Sequence, residues 1–468
     1  MYKIVHLAAE CFPIAKTGGL GDVVGALPKY LNKAGLSTCV LLPQYNQKWV
    51  QQNTKVNVWK GNLSSSHFNF NYYINHCVDA DLGFEVYLVD IPDLLFRENI
   101  YGYQDDHLWF LFFQQAALDW IKNWNDKPEV LHCHDHHTGL IPFMIKHCPA
   151  YSLLAHVRTV FTIHNGLYTG AFAWYNSRFF PEFSFQSKGS LDWDDTINPL
   201  ACAIKCCDWL TTVSGGYLDE LRFQPNPLQS LYNQHWQKSK GIVNGIDADV
   251  WNPKTDKNLT VKLAKSILKF KQKSKQEILK DTSLNPDLPL IVFIGRLVNE
   301  KGGELLPQAI GRYLSRVGNV NFYVLGSGSS DIENQLPRVR ELFTQSVATY
   351  IGYNEALAHK LYAGADFLIM PSIIEPCGLN QLYAMRYATV PMVRSVGGLK
   401  DTVVDIGDAN GYGIRFTNAN VEDILYSVNR AVDLYANPKL FEEIRKRLVA
   451  LNFSWEKAVK EYIEIYQY

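Results

Sequence analysis

Short apolar runs separated by stretches of helical period recur along the whole chain. Lys3 to Ala9, Ser37 to Leu42, Glu85 to Asp90, the segment opening at Glu129, and Arg158 to Thr162 each predict a strand. So do Cys206 to Ser214, Leu290 to Ile294, Val320 to Gly326, Thr349 to Tyr353 and Phe367 to Met370. The last of these has no polar break, as expected of a parallel strand buried on both faces. Asp105 to Trp124 predicts a long helix. Leu108, Leu111, Phe112, Leu118 and Ile121 fall near one face of it and Trp109, Phe113, Ala116 and Trp120 on the next, so much of it is expected to be buried. Leu263 to Lys280, Leu379 to Tyr387 and Phe453 to Tyr466 also read as helices. Residues 43–81 are polar and aromatic and give no clear element. Strands alternating with helices predict an α/β fold of doubly wound parallel sheets.

The chain has 468 residues, too many for one core, so two domains are expected. Glycines 241 and 245, in Gly241-Ile-Val-Asn-Gly-Ile-Asp247, suit a hinge. This divides the chain into domains 1–245 and 246–450, with a terminal helix in 451–468. Composition narrows the function by exclusion. The 45 Lys plus Arg nearly balance the 46 Asp plus Glu, which gives no argument for nucleic acid or membrane as a partner. No run approaches a membrane span, and the first ten residues are too short an apolar run for a signal peptide. The nine cysteines are scattered without metal or disulfide spacing, as reduced thiols in the cytoplasm would be.

Candidate chemistry gathers at predicted strand ends. After Phe367–Met370 comes Glu375-Pro-Cys-Gly378, leading into a helix. Gly378 lets the backbone approach a ligand, first-turn N–H groups attract anions, and a carboxylate stands just before them. That combination suits a sugar attached to a phosphate. After Leu290–Ile294 come Arg296 and Lys301, five residues apart and able to converge on one diphosphate. Each charge-assisted hydrogen bond would contribute roughly 1.5–3 kcal/mol. After Lys3–Ala9 comes Lys16-Thr-Gly-Gly-Leu-Gly-Asp22, a phosphate-approach layout without the dinucleotide or Walker spacing. The histidines of Leu131-His-Cys-His-Asp-His-His-Thr138 invite a metal reading. Their spacing is not that of a zincin helix, and strand alternation sends neighbours to opposite faces, so no metal site is expected.

The strings Lys16-Thr-Gly-Gly-Leu-Gly-Asp22, Thr162-Ile-His-Asn165, Gly241–Asp247, Gly295-Arg-Leu…Lys301-Gly302 and Glu375-Pro-Cys-Gly-Leu379 closely resemble the bacterial glycogen synthase and plant starch synthase family. The resemblance covers nearly the whole chain, with the motifs in the family's order. It implies a GT-B fold, two Rossmann-like domains facing a central cleft, with the terminal helix crossing back to the first domain. It implies a retaining glucosyltransferase that elongates an α-1,4-glucan such as glycogen from ADP-glucose, with no cofactor beyond the donor.

The resemblance also implies residue roles. Lys16, Gly18 and Gly19 would face the donor phosphates or glucosyl group, Asp22 would lie near the nucleotide, and Asn244 near the donor. His164 would sit against the transferred glucose, its carbonyl near the anomeric carbon. Arg296 and Lys301 would clamp the leaving diphosphate, and Tyr353 would stack on the adenine. Glu375 would hold glucose hydroxyls without acting as a covalent nucleophile, and Cys377, Gly378 and Leu379 belong to the donor signature. Asp135-His-His-Thr138 resembles the family's Asp-Trp-His-Thr string, making Asp135 and His136 candidate acceptor contacts. His136 replaces the usual tryptophan, and Ala201 stands where the family has a lysine. Ala388 replaces a usual glycine. Three alternatives remain open: a GT-B transferase using UDP-glucose or a small acceptor, a non-catalytic glucan-binding protein, and a metal hydrolase built on the histidines.

Overall fold

The predicted runs become strands of two parallel-rich sheets. The computed structural model describes residues 2–92, 94 and 96–467. It divides into two compact units, Met1–Ile242 with Trp455–Tyr468, and Val243–Ser454. The chain thus passes between units at 242/243 and 454/455, where the sequence suggested 245/246 and 450/451.

In unit 1 the strands are β1 (Ile4–Leu7), β2 (Thr38–Pro43), β3 (Lys55–Ser64), β4 (Asn69–Cys77), β5 (Glu85–Asp90), β6 (Val130–His134) and β7 (Arg158–Ile163). A small sheet of β8 (Phe172–Ala173), β9 (Asp192–Trp193) and β10 (Thr196–Ile197) follows, then β11 (Trp209–Thr212) and β12 (Ser239–Gly241). The large sheet has the order β12-β11-β7-β6-β1-β2-β5-β4-β3. It is parallel except at the β5-β4-β3 edge, where pairing is antiparallel. Residues 43–81, which gave no clear element, supply this edge hairpin. Most of β3 faces solvent and its register shifts between Asn57 and Trp59, so period-two alternation is blurred. Helix Asp106–Lys122 is buried on nearly every side, as its two apolar faces predict. The last helix, Trp455–Gln467, shares a core with helix Gly19–Lys33, where Tyr462 and Val459 are buried with Leu27 and Tyr30.

In unit 2 the strands are β13 (Leu290–Ile294), β14 (Asn321–Gly326), β15 (Val347–Ile351), β16 (Phe367–Met370), β17 (Val390–Arg394) and β18 (Ile414–Phe416). All pair in parallel in the order β15-β14-β13-β16-β17-β18. The lysine-rich helix starts at Ile267, later than expected, because Ser266 caps it by accepting from the Lys269 N–H. The helix expected over 379–387 spans Asn380–Arg386, with Leu379 as its N-cap. Two residues past its end, Ala388 has φ 59°. A glycine adopts that conformation freely and an alanine does so at a cost of about 1 kcal/mol.

Strand order explains where ligands belong. In unit 1 it reverses between β1 and β6, and in unit 2 between β13 and β16. Open α/β sheets bind ligands at the carboxyl ends of strands beside such a reversal. The segments emerging there are 8–22 and 135–138 in unit 1, and 295–302 and 371–379 in unit 2. No helix among the described residues is long and apolar enough to cross a membrane.

Candidate functional site

In unit 1 the glycine loop is held by Glu10, which sequence reasoning missed. Glu10 is buried. Its Oε2 accepts from the Thr17 N–H at 2.7 Å and the Gly18 N–H at 2.9 Å. Its Oε1 accepts from the hydroxyls of Thr17 at 2.7 Å and Tyr101 at 2.8 Å. The available signal was a lone acid set among small apolar residues just past β1. The loop opens into helix Gly19–Lys33, whose N-cap, Gly18, offers no side-chain cap. First-turn N–H groups there suit an anion. The four glycines divide by their surroundings. A Cβ added at Gly25 would lie 2.5 Å from the Phe12 carbonyl oxygen, and one at Gly21 3.0 Å from the Lys16 side chain. At Gly18 and Gly19 it would meet nothing within 4 Å. The last two therefore satisfy no steric demand of the chain itself, and their open space faces the uncapped helix start. Lys16 Nζ lies 2.6 Å from Asp22 Oδ1, so these two candidates form a half-exposed ion pair.

At the ends of β6 and β7, Asp135 has φ 56° and ψ 175°, a conformation almost confined to glycine that costs about 1–3 kcal/mol. Its Oδ1 accepts from the backbone N–H groups of His164 at 2.7 Å and Asn165 at 3.3 Å. Burial pushes its carboxyl up to about 7, against the pull of those two bonds. The structure thus shows Asp135, a candidate acceptor contact, holding the turn that presents His164. The His136 ring packs against Gly170, where a Cβ would lie 2.4 Å from it, and burial lowers its pKa to about 4.

The histidines come together in a way the sequence argument did not anticipate. Alternation separates neighbours, but His132 and His134 are two apart and share a face, and His6 on β1 stands opposite His132 in register. One ring nitrogen from each of the three lies within 4.8 Å of the others. Both His132 nitrogens are already engaged, Nδ1 with the Tyr466 hydroxyl at 2.8 Å and Nε2 with the Thr162 hydroxyl at 2.6 Å. With both nitrogens of His132 and both of His134 already in hydrogen bonds, the three rings are committed to one another and to the hydroxyls around them. Burial lowers His6 and His164 to about 3, and drives His132 and His134 well below the ordinary range.

In unit 2 the segments following β13 and β16 are joined by an ion pair. Lys301 Nζ lies 2.6 Å from Glu375 Oε1, and Ser372 Oγ donates to Glu375 Oε2 at 2.9 Å. The Glu375 side chain is 8% exposed and that of Lys301 25%. Gly302, at φ 69°, makes the approach possible, since a Cβ there would lie 2.3 Å from the Pro371 carbonyl oxygen. The Ile373 N–H donates to the Glu300 carbonyl at 2.8 Å. Arg296 was expected to act beside Lys301. Its side chain is 54% exposed and its guanidinium lies 3.4 Å from Glu300 Oε2, a weak contact that leaves it able to turn to a ligand. Asn244 approaches Cys377, whose thiol burial pushes up to about 12. Asn244 Oδ1 is buried without a hydrogen bond among the described residues. Gly378 has φ 73°, and Gln381, which sequence reasoning also missed, donates to the carbonyls of Cys377 and Gly378 and to the Thr402 hydroxyl. Helix Asn380–Arg386 has seven residues, so it offers a ligand local N–H groups more than a long dipole. Tyr353, just past β15, is 76% exposed and is no part of the core.

Residues 3–233 match the family model described as starch synthase catalytic domain, and residues 288–443 the one described as glycosyl transferases group 1. The chain is 48% identical to a glycogen synthase of Flavobacterium johnsoniae, with 99% of this chain and 98% of that protein covered. It is 34% identical to a glycogen synthase of Bacillus cereus over 99% of each. The solved catalytic domain of starch synthase IV from Arabidopsis thaliana, bound to ADP and acarbose, is similar with a TM-score of 0.90 and 31% identity. That match covers 100% of this chain and 99% of that one.

Gly18→Ala and Gly19→Ala should leave the melting temperature within about 2 °C, since no chain atom fills the space. Either should weaken binding of a nucleoside diphosphate, read by calorimetry, by about tenfold or more if a phosphate occupies that space. The buried histidines carry a pH signature. Below about 6.5, the ordinary histidine value, the unfolded chain takes up protons that the folded rings refuse down to about 3 for His6 and His164. Stability is therefore full above that value and is lost as pH falls. Urea unfolding of His6→Phe between pH 6 and 4.5 should show a slope shallower than wild type by about 1.4 kcal/mol per pH unit.

Proposed function

We propose that this chain, a glycosyltransferase that belongs to the glycogen synthase family, takes its glucosyl group from ADP-glucose and adds it, with retention, to the non-reducing end of an α-1,4-glucan. Its fold is GT-B. The observation that carries the reading is the partly buried Lys301–Glu375 pair at the strand-order reversal of unit 2. A leaving nucleoside diphosphate gains negative charge as the glycosidic bond breaks. A partly buried lysine, with an adjustable arginine from the same loop, supplies positive charge where dielectric screening is weak.

Glu375 completes the arrangement. Held by Lys301 and Ser372, it presents carboxylate oxygens that can accept from glucose hydroxyls and offset positive charge developing at the anomeric carbon. Unit 1, taken by itself, carries groups of the kind a sugar phosphate requires: the uncapped helix start with its open Gly18–Gly19 backbone, the adjacent Lys16, and His164 held by Asp135. The departing phosphate oxygen takes the proton of the attacking acceptor hydroxyl, so no separate base is required. Tyr353, exposed beyond β15, offers its ring to the adenine. The ADP of the similar starch synthase structure supports this choice of base. In this reading the donor is the only small molecule needed and the acceptor is glycogen or a related glucan. The nine cysteines are all free and buried, which suits the cytoplasm as the place of reaction.

The first test is transfer of labelled glucose to glycogen, comparing ADP-glucose with UDP-glucose. Faster transfer from ADP-glucose is expected. A UDP-glucose preference would overturn the base assignment while leaving the transferase intact, and no transfer to glycogen from either donor would overturn the acceptor. The clamp has its own test. Arg296→Ala should lower kcat by about a hundredfold with an unchanged melting temperature, because the side chain is 54% exposed. Lys301→Ala should lower kcat at least as far and also destabilise unit 2 by about 2 kcal/mol, because it leaves Glu375 buried without its partner.

A further inference from the structure

Three imidazoles run in series from the interior of unit 1 to His164. His6 Nδ1 lies 3.1 Å from His134 Nε2, and His134 Nδ1 lies 3.1 Å from His164 Nε2. His6 and His134 are 0% exposed and His164 is 8% exposed. The inner end of the series is sealed, since His6 Nε2 is buried with no hydrogen-bond partner among the described residues. At the outer end, His164 Nδ1 has no hydrogen-bond partner among the described residues and is the nitrogen left for a ligand.

A neutral imidazole carries one N–H, so the series has two consistent settings. In one, every hydrogen points outward: His6 Nδ1–H donates to His134 Nε2, His134 Nδ1–H donates to His164 Nε2, and His164 is left with a hydrogen on Nδ1. In the other, every hydrogen points inward, which leaves a bare lone pair on His164 Nδ1 and an unpaired N–H on His6 Nε2. An orphaned buried N–H is the rarer and costlier defect, and a sealed lone pair is better tolerated. The stack of His132 against His134, with ring centroids 4.2 Å apart, keeps the middle ring from turning. His132 is itself fixed by Tyr466 and Thr162.

We propose that His134 is a positioning residue for the transfer reaction: closed off by His6 on its inner side, it keeps the His164 proton on Nδ1, so that His164 can only donate to the glucosyl hydroxyl in front of it. This rests on the reading of His164 as the residue beside the transferred glucose. No bond is made or broken within the series. It selects a tautomer, and with it whether His164 offers a hydrogen or a lone pair.

The test uses the full chain labelled with nitrogen-15 at histidine only. Long-range proton–nitrogen spectra of the wild-type protein should show His164 protonated at Nδ1, and a His164 protonated at Nε2 would overturn the proposal whatever the enzyme's substrates. Two variants read the consequence. His134→Phe keeps a ring of similar size but removes the donor, and His134→Asn returns an amide N–H close to the lost Nδ1. His134→Phe should lower kcat by about tenfold with less change in KM and, with the bond that selects one tautomer gone, give His164 a mixture of Nδ1–H and Nε2–H forms, and His134→Asn should restore most of both. Equal kinetic loss in the two variants, with the His164 tautomer unmoved, would show a packing role only and sink the idea. If the tautomers behave as expected while glucosyl transfer is indifferent to them, the wiring stands and the placement of glucose against His164 fails.

Discussion

Glu375 could not be buried where it is without Lys301. A carboxylate withdrawn from water is costly unless a counter-charge and hydrogen bonds replace its hydration, and here an ammonium at 2.6 Å and a serine hydroxyl at 2.9 Å do so. The requirement propagates. To bring Lys301 to Glu375, the loop after β13 must lie directly on the loop after β16, which Gly302 permits by leaving out a Cβ that would collide with Pro371. Gly397 and Gly398 do the same from the other side. A Cβ at either would lie 2.2 Å from a carbonyl oxygen, that of Glu375 or of Cys377. One ion pair therefore accounts for the glycines, turns and polar side chains of a whole strand-end surface.

Unit 1 uses the same device twice with backbone amides in place of a lysine. Glu10 gathers the Thr17 and Gly18 N–H groups, and Asp135 gathers those of His164 and Asn165. Each buried acid sits just past a central parallel strand and ties down a loop that would otherwise have no regular partners. Asp135 faces only amide dipoles, too little to offset its desolvation, and burial raises its carboxyl to about 7.

The elements were legible wherever a buried parallel strand gave an uninterrupted apolar run, as in Phe367–Met370, or a helix buried two faces, as in Asp106–Lys122. The edge hairpin of β3 and β4 was not, because a strand exposed on most positions with a register shift has no clean period. Among site residues, Arg296, Lys301, Glu375 and the Lys16–Asp22 loop stood out through motif and placement at strand ends. Glu10 and Gln381 did not, because each acts on backbone groups several residues away and neither carries a local pattern. The histidines misled for a related reason. Alternation within β6 was read correctly for neighbours, but the partner that matters, His6, lies 126 residues before His132 and meets it only through the register of β1 with β6.

What the sequence determined by itself was the alternation of strand and helix, the family, and the identity of the charged groups at the strand ends, because those depend on local period and on short contiguous strings. What only the tertiary structure decided was which glycines border open space and which are packing necessities, which acids hold loops, and how four histidines are wired. Those are properties of distance between segments remote in sequence. A Cβ meets or misses a neighbour, and a ring nitrogen finds or lacks a partner, only once parallel strands have been set in register and their loops laid against one another.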